Sequence, residues 1–404
     1  MTGPAEYASA GLARASEQGP LKRVCFITTV SSTLDAFFLQ AAEFLCDRGG
    51  FDVTLVCDDD PEFASRIPSK LGYLPVPMQR GVGMAGIRSI IQLVRIFRRE
   101  RFDLVQYATP NAGLYASIAS RIARVPVRLY CQCGLRYVTE ASLMRSLLKE
   151  AERLTCRLST HVRVASPGNR AIGMREGLYA PEKSYVLGHG GTVGVELSEF
   201  PLEQKSLHRE RVRASLGIGD SFVFGFVGRL TRDKGVIELF RAFERLAPKS
   251  DCRLLCVGSD EMLNDGGEAS YRWARLADAV LFAGSVEKED LHGYYAAIDC
   301  LVLPTHREGF GMVLQEAGAM ACPIITTDVP GASEVMEDGV SCVLVPARDD
   351  EALEAAMARV MGDEELRERL GRNARSRVEM HFERSSMLER QYVDYCRLLE
   401  GASR

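Results

Sequence analysis

The stretch DCLVLPTHREGFGMVLQEAGAMACPIITTD (299–328) alternates an apolar run, a glycine-rich turn, a helical pattern and a second β-branched run. DCLVLPT and CPIITTD read as strands, Thr305 to Gly311 as a loop, and Met312 to Met320 as the first turns of a helix. Glu308 and Glu316 bracket the segment EGFGMVLQE across the Gly309-Phe310-Gly311 turn. On a helix that starts near Gly311, Glu316 falls in the second turn, on roughly the side of the helix mouth. Free backbone N–H groups at such a mouth can hold a phosphate. A carboxylate before the mouth and another just inside it would accept hydrogen bonds from hydroxyls on either side of that phosphate. A ribose diol, a diphosphate and a sugar diol in a row have that shape.

Outward from this stretch the same alternation fills the chain. RVCFITTV (23–30), FDVTLVC (51–57), FDLVQYA (102–108), VPVRLYCQC, HVRVASP and KSYVLGHGG read as strands of a first half. Helical patterns separate them, notably GIRSIIQLVRIFRRER (86–101) and a long one near 140–158. SFVFGFVGRL (221–230) restarts the pattern, and CRLLCVGSD, VLFAGSV and CVLVPA continue it. Strand–helix alternation of this kind predicts an α/β protein with two doubly wound, Rossmann-like parallel sheets. The expected organisation is a disordered tail over 1–20, one domain over 21–196, a second over 197–384, and a closing helix over 385–404 that packs across domains. A polar, proline-containing linker is expected near 197–216. Ligands in such sheets bind beyond the carboxyl ends of the strands.

With 404 residues, 46% hydrophobic and 26% charged, the chain suits two soluble globular domains. No apolar run reaches the ~18 residues of a membrane span. Twelve scattered cysteines, most inside apolar runs, suit reduced thiols in a cytoplasm. The net charge of −4 divides into +5 for residues 1–200 and −9 for the remainder. Residues 80–175 alone carry 17 basic and 5 acidic side chains. That excess suits an anionic membrane face or a diphosphate-bearing acceptor as well as a solvated helical surface. No feature points to nucleic acid.

FVGRLTRDKG (226–235) is the second chemical feature. A strand ends at Val227, Gly228 frees the backbone, and Arg229 and Lys234 precede a helix, which makes an anion cradle. Two further strand ends, CVGSDE (256–261) and FAGSVEKED (282–290), offer backbone groups at Gly284, Ser285 and Val286 to a nucleobase edge, or are ordinary turns.

Together these segments resemble the retaining GT-B glycosyltransferases of family 4, also called glycosyltransferase group 1. VGRLTRDKG and EGFGMVLQEAGAMACPIITTDVPGASEVMEDG stand in that family's order and spacing. The likeness is closest to members that extend bacterial polysaccharides, O-antigens or lipid-linked glycans. It implies that Arg229 and Lys234 hold a diphosphate and Glu316 the ribose. Glu308 and the backbone from Gly309 through Phe310, Gly311, Met312 and Val313 would then lie by the donor sugar and its phosphate. It further implies a nucleotide-sugar co-substrate, most readily a UDP-sugar, with no cofactor and no metal, since cations and a helix mouth supply the positive field. The acceptor would be a saccharide or a polyprenyl-diphosphate-linked glycan, met in the cytoplasm or at the inner face of its membrane. Retention by front-face attack and by double displacement through Glu308 both stay open.

The chain departs from the family pattern at three places. Ser31, Ser32 and Thr33 stand where many members have a Gly-Gly pair, and Val193 where an Asn is common. No histidine lies between Cys131 and Arg136, so Gln132 or Arg136 would serve there. These residues, with His189 of GHGG, are the candidate acceptor contacts. GVGMAG (81–86) follows a proline-interrupted segment, and Asp103 lies at the start of its strand, which argues against a dinucleotide site. Asp58, Asp59 and Asp60 read as a solvated loop, Trp273 as core or interface, and Cys131 and Cys133 lack partners at zinc spacing. His306 adjoins the donor loop. Two rival functions are an epimerase or hydrolase of the same fold and a catalytically dead binding subunit.

Overall fold

The computed structural model describes residues 20–78, 84–140, 142–263, 266–276 and 278–402. The tail over 1–19 and the first half of GVGMAG, residues 81–83, therefore lie outside the described residues. The first half runs β1 (Lys22–Ile27), α1 (Ser31–Phe37), α2 (Leu39–Arg48), β2 (Phe51–Val56), α3 (Pro61–Arg66), β3 (Gly72–Tyr73) and α4 (Met84–Glu100). It continues through β4 (Leu104–Tyr107), α5 (Pro110–Ala123), β5 (Val127–Gln132), α6 (Ser142–Leu158), β6 (His161–Val164), α7 (Pro167–Arg175) and β7 (Ser184–Tyr185). The second half runs α8 (Lys205–Ser215), β8 (Phe222–Val227), α9 (Val236–Leu246), β9 (Cys252–Val257), α10 (Glu268–Arg275), β10 (Val280–Gly284) and α11 (Leu291–Ala297). It closes with β11 (Cys300–Leu303), α12 (Met312–Ala319), β12 (Ile324–Thr327), β13 (Val343–Val345), α13 (Asp350–Gly362), α14 (Glu364–His381) and α15 (Arg384–Ala402).

Strand order is β3-β2-β1-β4-β5-β6-β7 in one sheet and β10-β9-β8-β11-β12-β13 in the other. The pairings resolved in each are parallel. The central strands are buried on both faces: β8, β9, β11 and β12 are almost wholly covered, which explains their runs of Val, Leu, Ile and Cys. Each order reverses direction once, between β1 and β4 in the first sheet and between β8 and β11 in the second. The loops leaving those two strands part to opposite faces, which opens a crevice. Helix starts follow the local chemistry. Asp60 caps α3, Ser166 caps α7, Asp349 caps α13 and Asp363 caps α14, each accepting from a backbone N–H three residues on.

Contacts group the chain into two units, and the grouping differs from the expected boundaries. One unit holds the chain through Cys131, Leu154–Val162 and the chain from Tyr392; the other holds Gln132–Arg153 and Arg163–Gln391. Residues 163–196, expected with the first domain, thus group with the second, and α15 begins in one unit and ends in the other.

The polar linker expected over 197–216 is corrected too. Its larger part is α8, folded against the second unit. Arg209 and Arg213 both reach Asp299 at 2.6 Å, and Lys205 donates to the carbonyls of Met320 and Ala321. Arg213 is 7% exposed, so its charge survives only because Asp299 and backbone carbonyls meet it. A segment that looks hydrophilic in sequence is here a seam of paired charge. KSYVLGHGG, read as a strand, contributes only Ser184–Tyr185 to a sheet.

Candidate active site

The second sheet's reversal brings together the two segments that carry the chemistry. The loop after β8 contains Gly228, Arg229 and Lys234; the loop after β11 contains His306, Glu308 and the Gly309-Phe310-Gly311 turn. They are zipped together by hydrogen bonds. The His306 N–H donates to the Asp233 carbonyl at 2.8 Å, and the Thr305 hydroxyl donates to the same oxygen at 3.1 Å. Arg307 reaches the Asp233 carboxylate at 2.7 Å. Burial opposes ionisation of Asp233, but the Thr231 hydroxyl and Arg307 hold its carboxyl below the ordinary value. His306 is a framework residue, its Nε2 lying 3.1 Å from Glu238.

Within this frame Lys234 Nζ meets the Glu308 carboxylate in a short ion pair. Both side chains are largely covered, at 21% and 12% exposure, so the pair is shielded from water. Arg229 is more open, at 57%, and bonds Glu261 at 3.0 Å. An exposed pair of that kind is worth about 0.2–1 kcal/mol and yields readily to a better anion.

The loop is shaped by close backbone approach. A Cβ on Gly309 would lie 1.5 Å from the Cys133 carbonyl, so no larger residue fits. Gly331, at φ +85°, lies beneath the turn, and a Cβ there would meet the carbonyls of Glu308 and Gly309 at 2.5 and 2.6 Å. The Gly311 N–H donates to the Gly331 carbonyl at 2.9 Å, and α12 starts at Met312. The Met312 and Val313 N–H groups in its first turn meet no acceptor among the described residues. Phe310, 8% exposed, packs edge-on against Phe382 at 5.4 Å and anchors the turn from below.

Glu316 lies in the second turn of α12, partly covered. Tyr295 of α11, wholly buried, donates to its Oε2 at 2.7 Å. Burial pushes the Glu316 pKa up, and the Tyr295 hydroxyl works the other way. Gly284 closes β10, where its carbonyl accepts from Gly258 N–H at 2.8 Å. Val286 packs on the core, as does Trp273 against Phe240 and Phe282.

The candidate acceptor residues are divided between the two units: Ser31, Ser32 and Thr33 belong to one, and Gln132, Arg136 and His189 to the other. Ser31, Ser32 and Thr33 open α1, with the Ser31 hydroxyl donating to Asp60 at 2.5 Å. Asp60 is therefore a helix cap and a partner of Ser31 rather than part of a free acidic loop. Gln132 is buried: its amide NH2 donates to Glu152 at 2.5 Å and its oxygen accepts from Tyr179 at 2.9 Å. Both ends of its amide are thus engaged inside the protein. Arg136 is open, with Glu140 at 4.0 Å. The His189 ring lies 3.9 Å from that of His381, and burial, with Arg390 and Arg377 nearby, holds both below the ordinary histidine pKa.

Three side chains that sequence reasoning missed hold this site: Asn169, Glu334 and Tyr295. Asn169, near the start of α7, donates to the carbonyls of Glu308 and Gly309 at 3.0 and 3.1 Å. Glu334 accepts from Gly168 and Gly331 N–H groups. The only local signal is the SPGN helix start at 166–169, which announces a cap and not a reach of 139 residues. Among the described residues no group of three or more His, Cys, Asp and Glu side chains could hold a metal ion.

Comparison with known proteins meets the same two halves. Residues 208–377 match the model of glycosyl transferases group 1, and residues 35–183 that of a glycosyl transferase 4-like domain. A capsular polysaccharide biosynthesis glycosyltransferase, CapM of Staphylococcus aureus, is 30% identical over 94% of this chain and 99% of its own. The chain belongs to the group 1 glycosyltransferases. A second relative of this glycosyltransferase is an Escherichia coli UDP-Gal:α-D-GlcNAc-diphosphoundecaprenol α-1,3-galactosyltransferase, 24% identical over 88% of this chain and 92% of its own. Among solved structures, sucrose-phosphate synthase from Thermosynechococcus elongatus superposes with a TM-score of 0.75, at 21% identity, over 94% of this chain and 100% of that one. Anabaena HepE, solved with UDP and glucose, gives 0.76 at 20% identity over 93% and 99%. The fold is GT-B, as the sequence pattern predicts.

Proposed function

We propose that this glycosyltransferase moves a sugar, with retention, from a UDP-sugar to a saccharide carried on a polyprenyl diphosphate in cell-surface polysaccharide assembly. The observation that carries this reading is the shielded Lys234–Glu308 pair at the second sheet's reversal, beside the open first turn of α12. Breaking the C1–O bond leaves negative charge on the nucleoside diphosphate, and Lys234, Arg229 and the helix mouth all present positive charge to it. In this reading the diphosphate displaces Glu261 from Arg229, Glu316 accepts from the ribose, and Glu308 accepts from sugar hydroxyls. These cations do the work a metal ion would otherwise do. A carboxylate anchored by an ammonium is poorly placed as a free nucleophile, which favours front-face attack over double displacement. The relatives support the rest: one is named for capsular polysaccharide, the other for a UDP-Gal donor and a diphosphoundecaprenol acceptor.

The acceptor's lipid places the enzyme at the inner face of a membrane. No helix among the described residues is long and apolar enough to cross one. α4 offers a surface contact instead. Ile87 and Ile91 are 53% and 46% exposed on it, and Arg88, Arg95 and Arg98 stand exposed on the same helix.

The test is transfer itself. Incubation with nucleotide sugars and a polyprenyl-diphosphate saccharide should give a product one sugar heavier, with the donor's anomeric configuration by NMR. Full-rate release of free sugar without acceptor would make the protein a hydrolase. Binding of a dinucleotide and of no nucleotide sugar would overturn the donor assignment.

A further inference from the structure

Asn169 stands apart from the donor residues in sequence, yet its amide touches their backbone. It is 4% exposed, and its Nδ2 faces three oxygens: Ser166 Oγ at 2.9 Å, the Glu308 carbonyl at 3.0 Å and the Gly309 carbonyl at 3.1 Å. Two of those oxygens belong to carbonyls, which only accept, so the atom facing them must be the NH2 end of the amide. The same turn is tied a second time, through Gly331. Glu334 accepts from the Gly168 N–H at 2.5 Å through one oxygen and from the Gly331 N–H through the other. The Gly331 carbonyl in turn accepts from Gly311 N–H at 2.9 Å. The bonds close a ring: Asn169 to the turn, the turn to Gly331, Gly331 to Glu334, and Glu334 back to the residue before Asn169.

A trans peptide points its C=O and the next N–H in opposite directions. With the Glu308 and Gly309 carbonyls drawn toward Asn169, the N–H groups of Gly309 and Phe310 face away from it. Neither meets an acceptor among the described residues, as with Met312 and Val313. We infer that Asn169 is a positioning residue: it fixes the peptide planes of 308–310 so that successive N–H groups are preset to receive the donor's phosphate. The role rests on the nucleotide-sugar reading above and adds its control element. A turn so rich in glycine would otherwise sample several peptide orientations, and a phosphate would have to select one. Ring closure through Glu334 makes the arrangement two-sided, so either end can be broken to test it.

Asn169→Asp has nearly the same volume but turns a donor toward two carbonyls into an acceptor, whereas Asn169→Ala only removes it. Nucleoside diphosphate affinity is read by calorimetry on the full chain, with UDP as the probe, beside the melting temperature. The expected result is UDP binding at least about tenfold weaker in both variants, and worse in the Asp than in the Ala variant. Glu334→Gln, at a partly exposed position, should weaken UDP about threefold, and it carries the test alone if the Asp variant does not fold. Equal UDP affinity in wild type and in whichever variants fold would overturn the role of Asn169 while leaving the donor site standing. A milder loss in Asp than in Ala would reduce Asn169 to packing and overturn it equally. Absence of UDP binding by the wild-type protein would remove both this role and the donor reading, and so is told apart from the first two outcomes.

Discussion

The two sheets reverse at equivalent places, and the two crevices are furnished differently. At the β8/β11 reversal stand Arg229, Lys234, Asp233, Arg307 and Glu308, a dense set of charges. At the β1/β4 reversal the loops leaving the two strands carry hydroxyl side chains. Thr29 Oγ1 and Thr109 Oγ1 lie 2.7 Å apart, the Thr29 N–H donates to Thr109 Oγ1 at 3.1 Å, and Ser31 and Ser32 open the next helix. Thr109 adopts φ +67°, a strained backbone for a β-branched residue, at the N-cap of α5. The same topology thus carries charge at one reversal and neutral hydrogen-bonding groups at the other, and in the proposed reading the charged one holds the donor's diphosphate.

The comparison breaks first at its most charged point. Glu308→Gln and Lys234→Ala should each lower transfer by about 10²–10³-fold, measured as labelled product per minute, because each leaves the partner charge shielded and unpaired. The matching change in the other crevice, Thr29→Val, should leave donor affinity at the wild-type value and act only on the acceptor's KM. A loss of donor affinity in Thr29→Val would erase the distinction. Next in size, Tyr295→Phe should move the acid limb of nucleotide-sugar affinity to higher pH. Glu316 binds as a carboxylate, burial already raises its pKa, and loss of the Tyr295 hydroxyl raises it further. An unmoved limb would separate Glu316 from the ribose.

Most of the charged crevice was legible in sequence, and the neutral one was not. Arg229, Lys234, Glu308 and Glu316 stand in short motifs next to strand ends, so periodicity and topology together locate them. The alternation of apolar runs and helical patterns also carries the fold, because a parallel sheet needs buried strands and crossover helices in turn. What stayed hidden depends on contacts distant in the chain. Asn169 and Glu334 tie the Gly309–Gly311 turn through bonds that no local pattern encodes. Gln132 looked available because its partners, Glu152 and Tyr179, lie 20 and 47 residues away. Polarity misled at 197–216 for a related reason: Arg209 and Arg213 of α8 face Asp299 rather than water.

Smaller effects sharpen the same contrast. Ionised Glu316 has a folded pKa above the ordinary 4.5, so its folded form binds more protons than its unfolded form between those values. Stability therefore falls as pH rises from that ordinary value through the raised one. Glu316→Gln removes the penalty and should raise the melting temperature at neutral pH by about 2 °C, while it weakens nucleotide-sugar binding. A lower melting temperature would mean that the carboxylate is part of the framework. Smallest of all, Glu261→Ala should tighten UDP binding by up to about fivefold, since it removes the exposed carboxylate that competes for Arg229. The gain should vanish in an Arg229→Ala background.

The most direct measurement is a calorimetric titration of UDP into four proteins: wild type, Arg229→Ala/Lys234→Ala, Thr29→Val and Thr109→Val. If the charged crevice holds the donor's diphosphate, wild type and both threonine variants bind with the same affinity, and the double variant binds at least about a hundredfold more weakly. Equal affinity in the double variant, or loss confined to the threonine variants, would contradict that assignment.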